Sequence, residues 1–226
     1  MDLFRLLQTT VPVAGTDRQF PVRRIYCVGR NYEKHVAEMG HDVKRSKPFY
    51  FAKPADAIVL SGGTVDYPPR TGDLHHEIEL VVAIGKAGSN VPVEAALDHV
   101  FGYAVGIDLT RRDLQHAAKE KGQPWETAKG FDQSAPITAI HPAASIGHRS
   151  SGRIWLAVNG EIRQDADLGE QIWNVQESVA ELSSLFELAP GDLLYTGTPA
   201  GVGPLEPGDE VTGGIAGIDE IRIRIA

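Results

Sequence analysis

Two carboxylates two residues apart in an apolar stretch are the first groups in this chain able to do chemistry. Glu77 and Glu79 lie in LHHEIELVVAIG, residues 74–85. The β-branched and apolar neighbours Ile78, Val81, Val82 and Ile84 predict a strand. In a strand, residues two apart share a face, so both carboxylates project together from Cα atoms about 6.6 Å apart. Like charges on one face repel, and burial adds a desolvation cost. The pair therefore persists cheaply only beside a cation or on a wholly exposed edge. The alternation of the stretch does not choose between these two. His75 and His76 adjoin the pair, but strand neighbours face opposite ways, so at most one of them approaches the same cation.

A third carboxylate, Asp108, stands near the end of the apolar run VFGYAVGIDLT, Val100 to Thr110. It is placed either to cap the helix expected over Leu109 to Lys119 or to face a cleft. With Glu77 and Glu79 it offers three hard oxygen ligands, the kind that suits magnesium, manganese or calcium. His35 and Glu38 stand three apart in a short helix expected over Glu33 to Met39 and ended by Gly40, which sets them side by side. A carboxylate that orients an imidazole and raises its basicity is equipment for moving a proton near neutral pH. The same spacing also suits an exposed helical pair. Arg111, Arg112, Gln115 and Lys119 on the next helix, and Lys129 after a Pro-Trp turn, read locally as solvated surface groups. The glycine-rich TGTPAGVG, residues 196–203, lacks the lysine of a P-loop, and the chain holds no GxGxxG or GxSxG. Its N–H groups and threonine hydroxyls suit a carboxylate or a plain turn cluster.

These residues need elements to carry them. Short strands are expected over Val22 to Gly29, Phe49 to Ala52, Asp56 to Leu60, Thr64 to Tyr67, Asp192 to Tyr195, Glu210 to Thr212 and Ile221 to Ile225. A hairpin turns at Asn159-Gly160, with Ile154, Leu156 and Val158 on one face. Val175, Val179, Leu182 and Phe186 mark an amphipathic helix with its stripe toward the core. Val93 to His99 reads as a short helix. Among 226 residues, 24 glycines and 14 prolines call for many turns. No linker or charge block divides the chain, so residues 1–20 are expected as an N-terminal arm and residues 21–226 as one catalytic domain.

Hydrophobic residues at 42% and charged residues at 23% fit a soluble globule with a substantial core. The single cysteine, Cys27, excludes an intrachain disulfide and a cysteine zinc cluster, which fits a reducing compartment. No basic-then-apolar leader and no apolar run of membrane length is present, so a cytoplasmic protein without membrane contact is expected. A formal charge of −8 argues against a nucleic-acid partner.

Several stretches together resemble the fumarylacetoacetate hydrolase superfamily, most closely its small acylpyruvate and fumarylpyruvate hydrolase members. They are YCVGRNYEKHVAEMG, PFYFAKPADA, LHHEIELVVAIGK, GYAVGIDLTRRDLQ, KGQPWETAKGFD, VNGEIRQ and LLYTGTPAGVGPLEPGD, in the family's order from about residue 22 onward. The resemblance implies a mainly β fold with short helices, a mixed β-sandwich roll, and a homodimer. It implies Mg2+ or Mn2+ held by Glu77, Glu79 and Asp108, and a His35–Glu38 dyad on a lid segment with Lys129 as active-site lysine. Arg112, Gln115 and Thr198 match substrate contacts, with Lys53 and Arg30 beside them. The implied reaction is hydrolysis of the C3–C4 bond of a 2,4-diketo acid, fumarylpyruvate foremost, in aromatic degradation. Oxaloacetate decarboxylation or hydroxydienedioate isomerisation on the same scaffold, and a metal-binding protein without catalysis, are the alternatives. A distal substrate carboxylate would want a cation, for which Arg30, Arg111 and Arg149 are the candidates.

Overall fold

The strand Ile78–Ile84 is buried along its whole length, and the sheets assemble around it. The computed structural model describes residue 3, residues 7–38 and residues 47–226. The largest sheet runs in the order Phe49–Lys53, Arg24–Gly29, Asp192–Tyr195, Ile78–Ile84, Val100–Ile107, Ala135–Ile137, Ile58–Leu60, with His141–Pro142 added to Val100–Ile107. A second sheet orders Glu161–Asp167, Arg153–Val158, Glu210–Ile215, Asp219–Ile225 and Thr64–Val65. Parallel pairs such as Asp192–Tyr195 on Arg24–Gly29 sit among antiparallel ones, so the sheets are mixed. The fold is mainly β with short helices, as expected.

The period of two explains the layering. Ile78, Leu80, Val82 and Ile84 enter one apolar cluster with Ile154, Leu156, Val211, Ile221 and Ile223 of the second sheet. Val81 and Ala83 point the other way, into a second cluster with Ile25, Cys27, Leu193 and Tyr195. Both faces are therefore dry, and Glu79 shares its face with Val81 and Ala83. The exposed-edge alternative for the glutamates fails for this reason: Glu77 is 5% and Glu79 1% exposed.

Several local expectations shift. The stretch from Leu74 is two strands, Leu74–His76 and Ile78–Ile84, which belong to different sheets and break at Glu77. Within the expected arm, Thr10–Pro12 and Gln19–Pro21 pair as a hairpin. That hairpin buries Val11 and Phe20 in the second cluster, because its apolar residues alternate. The helix after Asp108 starts only at Arg112, with Arg111 in the cap position and no side-chain cap, so Asp108 does not cap it. Val93–His99 is a 3₁₀ turn. The hairpin at Asn159-Gly160 forms as read, with both residues at positive φ, 51° and 82°, the geometry of a type I′ turn. Among the described residues no helix is long and apolar enough to cross a membrane.

Candidate metal centre and its pocket

Strand register brings the three carboxylates together. Ile78 pairs with Ile107 and Glu79 with Gly106 in the antiparallel ladder. One step further places Asp108 opposite Glu77, and the Asp108 N–H donates to the Glu77 carbonyl at 2.8 Å. Directly opposed residues have Cβ atoms about 5 Å apart. A ligand oxygen from each of Glu77, Glu79 and Asp108 then lies within 4.8 Å of the others, and all three residues are buried. Opposite Glu79, Gly106 lets Val81 and Tyr195 pack close on the strand: a Cβ there would lie 2.6 Å from Val81 Cγ2 and 2.5 Å from Tyr195 Cε1.

Basic side chains compensate two of the three charges. Lys129 is 2% exposed and donates to Glu77 Oε2 at 2.8 Å, Asp108 Oδ2 at 2.7 Å and Thr110 Oγ1 at 2.6 Å. Arg112 pairs with Glu77 Oε1 and donates to Gln115 Oε1 at 2.7 Å. Burial alone would push the Glu77 carboxyl up. The Lys129 ammonium, Arg112 and His35 outweigh it and hold Glu77 well below the usual carboxylate range. The Lys129 amine is itself kept protonated against burial by Asp108 and Glu77. Glu79 has no such partner. Burial, then the negative Asp108 and Glu77, push its carboxyl well up, and the Lys129 ammonium and the Gly197 N–H at 2.8 Å offset this only in part. That N–H is presented by a turn at φ 94°, which suits glycine.

The donor set fits a hard divalent cation. All three ligands are carboxylate oxygens. Asp108 Oδ1 is buried and accepts no hydrogen bond, although Lys53 Nζ stands 2.8 Å away. A cation among the three oxygens would also offset the repulsion from Asp108 and Glu77 that adds to burial in raising the Glu79 carboxyl. The protein's own compensating charges, from Lys129, Arg112 and Lys53, fall on Glu77 and Asp108.

A pocket opens over these carboxylates. Its walls include Arg30, His35, Phe49, Phe51, Arg112, Gln115, Lys119, Trp125, Lys129 and Thr198. His35 is 8% exposed on the helix Glu33–Glu38. The side chain of Glu38, together with Met39 and Gly40, lies outside the described residues. Arg112 and Gln115 are both 3% exposed, so the surface reading of these groups gives way to burial against the glutamates. Thr198 Oγ1 accepts from Gln164 Nε2 at 2.8 Å. Lys53, expected at the substrate, has a fully buried side chain beneath the pocket wall. It donates to the Leu109 carbonyl at 3.1 Å and to the Lys129 carbonyl, and so fixes the Lys129 backbone and Asp108 together. Arg111 stacks over Phe131 with its guanidinium 4.5 Å from the ring centroid, and Arg149 donates to the Gly217 carbonyl. Neither lines this pocket.

Two residues were not singled out by sequence reasoning. Gln164, fully buried, accepts from the Ile78 N–H at 3.1 Å, faces His76 Nδ1 at 3.0 Å and donates to the Pro199 carbonyl. It ties the glutamate strand to the glycine-rich loop; it closes the motif VNGEIRQ, which is the signal that could have found it, though the motif alone assigns it no role. Lys119 had a signal too: it follows Arg112 by seven residues and Gln115 by four, on one helical stripe. Burial, then Arg112 and Arg30, push the Lys119 amine down to about 8. It is charged below that pH and neutral above it. At pH 8 Lys119 is therefore expected to acetylate with acetic anhydride roughly tenfold faster than exposed lysines of ordinary basicity. Time-resolved peptide mapping checks this.

A curled, mainly β domain with a buried carboxylate triad beside a histidine-lined pocket defines a class of metal-dependent enzymes. The chain belongs to the fumarylacetoacetate hydrolase family: the fumarylacetoacetate (FAA) hydrolase C-terminal family model matches residues 24–226. It is 50% identical to the fumarylpyruvate hydrolase of Pseudomonas aeruginosa, whose crystal structure is a complex with Mn2+ and pyruvate. That comparison covers 100% of this chain and 99% of the other, with a TM-score of 0.98. The fumarylpyruvate hydrolase of a Ralstonia species is 45% identical over 189 residues, 83% of this chain and 98% of that protein. The mitochondrial oxaloacetate tautomerase of Mus musculus is 42% identical over 203 residues, 90% of this chain and 91% of that protein.

Proposed function

We propose that the protein is a divalent-metal-dependent hydrolase that cleaves the C3–C4 bond of a 2,4-diketo acid, fumarylpyruvate foremost, giving fumarate and pyruvate. The observation that carries this reading is a base beside a metal site: His35 lines the same pocket as the buried triad Glu77, Glu79 and Asp108. A binding module needs no such base. The similarity to fumarylpyruvate hydrolases points to the substrate.

In this reading Glu77, Glu79 and Asp108 would hold Mg2+ or Mn2+, which when bound would supply Lewis-acid polarisation of the keto-acid oxygens. His35, oriented by Glu38, takes a proton from the water that attacks C4. The new C4–O bond makes the carboxylate of fumarate. The C3–C4 bond breaks with its electron pair passing to C3, which is then protonated. Lys129 and Arg112 present positive charge to the oxygens of the diketo acid, and Gln115, Thr198 and Arg30 orient it. Lys53 acts by holding Lys129 in place. The reading extends to a cytoplasmic homodimer that serves aromatic degradation, on the strength of the family resemblance.

Oxaloacetate is the second substrate to consider, because the mouse relative acts on it. Incubating the Mg2+-loaded protein with fumarylpyruvate, acetylpyruvate, oxaloacetate and a hydroxydienedioate decides among them. Loss of the acylpyruvates with release of pyruvate supports the hydrolase, and loss of oxaloacetate alone overturns it. Under the same conditions His35→Ala is expected to lower kcat about a hundredfold while Mn2+ binding by calorimetry stays intact. Full hydrolysis by that variant would remove His35 from proton transfer.

A further inference from the structure

The pocket also carries two cations that form no ion pair with the triad carboxylates. Lys129, Arg112 and Lys53 are committed to Glu77 and Asp108. Arg30 and Lys119 line the same pocket, and neither has an acidic partner among the described residues. Instead each lies against an aromatic ring. The Arg30 guanidinium is 5.5 Å from the Phe49 centroid, and Lys119 Nζ is 5.2 Å from that of Trp125. The two rings meet edge to face at 5.2 Å, so one aromatic shelf brings both cations to the same end.

The backbone is arranged for this. Arg30 sits at φ 62°, a left-handed conformation uncommon outside glycine and costly enough to need support. Its neighbours supply that support. Asn31 donates to the Trp173 and Thr196 carbonyls at 2.8 and 2.7 Å and accepts from the Trp173 N–H at 2.7 Å. The Phe49 ring occupies the space where a Cβ on Gly29 would stand. The strain re-aims Arg30 over Phe49. On the other wall, helical spacing puts Lys119 two turns beyond Arg112. Burial, then Arg112 and Arg30, disfavour the charge on Lys119, with Glu77 acting against them; an anion between the cations would relieve the remaining cost.

We infer that Lys119 and Arg30, seated on Trp125 and Phe49, form a second carboxylate site, so that the pocket selects keto acids carrying an acidic group at the end remote from the metal. A planar conjugated acyl chain lies along the aromatic shelf, with its keto-acid end over the triad and its terminal carboxylate between the two cations. The inference rests on the proposed hydrolase reading for the identity of the substrate, and names what distinguishes a fumaryl from an acetyl chain. Of the three cations considered for this task from sequence, only Arg30 reaches the pocket; Lys119 takes the place of Arg111 and Arg149.

The test compares wild type with Lys119→Met and Lys119→Arg, each loaded with Mn2+, on fumarylpyruvate and acetylpyruvate. The ratio of the two kcat/KM values is expected to fall about 10- to 100-fold in Lys119→Met, chiefly through KM for fumarylpyruvate, and to recover in Lys119→Arg. An unchanged ratio overturns the site. Calorimetry provides a readout without turnover: fumarate is expected to bind wild type at least tenfold more tightly than crotonate, which has one carboxylate, and to lose that advantage in Lys119→Met. Equal binding of the two acids by wild type overturns the site as well. If wild type hydrolyses neither acylpyruvate, the hydrolase reading falls, while the fumarate–crotonate difference still decides the carboxylate site.

Discussion

Glu79→Gln is expected to abolish turnover and divalent-ion binding while leaving the metal-free protein as stable as wild type, or more stable. The expectation follows from how unevenly the three carboxylates are treated. Glu77 faces Lys129 and Arg112, and Asp108 faces Lys129 and Lys53, whereas Glu79 meets only the Gly197 N–H. Burial and its two acidic neighbours push the Glu79 carboxyl well up, which favours its protonated form in the metal-free protein. Glutamine is a close mimic of that protonated acid: it has the same shape, still accepts from Gly197 and adds no charge. Removal of a ligand oxygen charge from a three-carboxylate site is expected to lower kcat at least ten-thousandfold, about 5 kcal/mol of lost transition-state stabilisation. Wild type at a hundredfold excess of Mn2+ over its dissociation constant gains about 2.7 kcal/mol. For a chain of this size that is a rise in Tm of roughly 5–10 °C. The variant should show no Mn2+-dependent rise. Thermal scans with and without Mn2+, beside a kinetic assay, check all three parts; a metal-dependent rise in the variant would mean that Glu79 is not a ligand.

Lys129→Met inverts the pattern. Its ammonium holds Glu77, Asp108 and Thr110 at once from a position 2% exposed. Without it the acidic cluster keeps only Arg112 and Lys53, and loss of one partner of a buried ion pair costs about 3–5 kcal/mol. The metal-free variant is therefore expected to melt roughly 10 °C below wild type. Added Mn2+ should restore much of the difference, because the cation supplies charge where the ammonium was. Activity should not return with stability, since positive charge at the reacting oxygens typically accounts for a hundredfold or more in rate. A variant that melts like wild type without metal would show that the acidic cluster does not depend on the Lys129 ammonium for its stability.

The two variants also separate local pattern from three-dimensional arrangement. Strand period alone put Glu77 and Glu79 on one face, and the β-branched residues around them named the element. Register then added Asp108: once Ile78 faces Ile107, the residue opposite Glu77 follows by counting. What the alternation of LHHEIELVVAIG could not decide was whether that face was wet, because Ile78–Ile84 is covered by different sheets on its two sides. The helix Arg112–Glu120 presented the same ambiguity. Arg112, Gln115 and Lys119 share a stripe that reads as solvated until the glutamate strand is seen packed against it. Lys53 resembled a substrate contact by motif, yet its side chain lies under Lys129 and holds the carbonyl of that residue.

The sequence by itself determined the longer strands, the Asn159-Gly160 turn and the shared face of the glutamates, which depend on local periodicity or turn chemistry, and its motifs gave the family; it did not show the hairpin Thr10–Pro12 to Gln19–Pro21, the break at Glu77 or the strand Ala135–Ile137. Tertiary structure decided burial, and with it the charge states. Lys129 stands 52 residues from Glu77 and 21 from Asp108, separations over which no local pattern fixes a contact. Only the packing of sheets on both sides of Ile78–Ile84 excludes water there. That exclusion is the physical reason why two ordinary glutamates acquire opposite proton affinities and become the floor of a site.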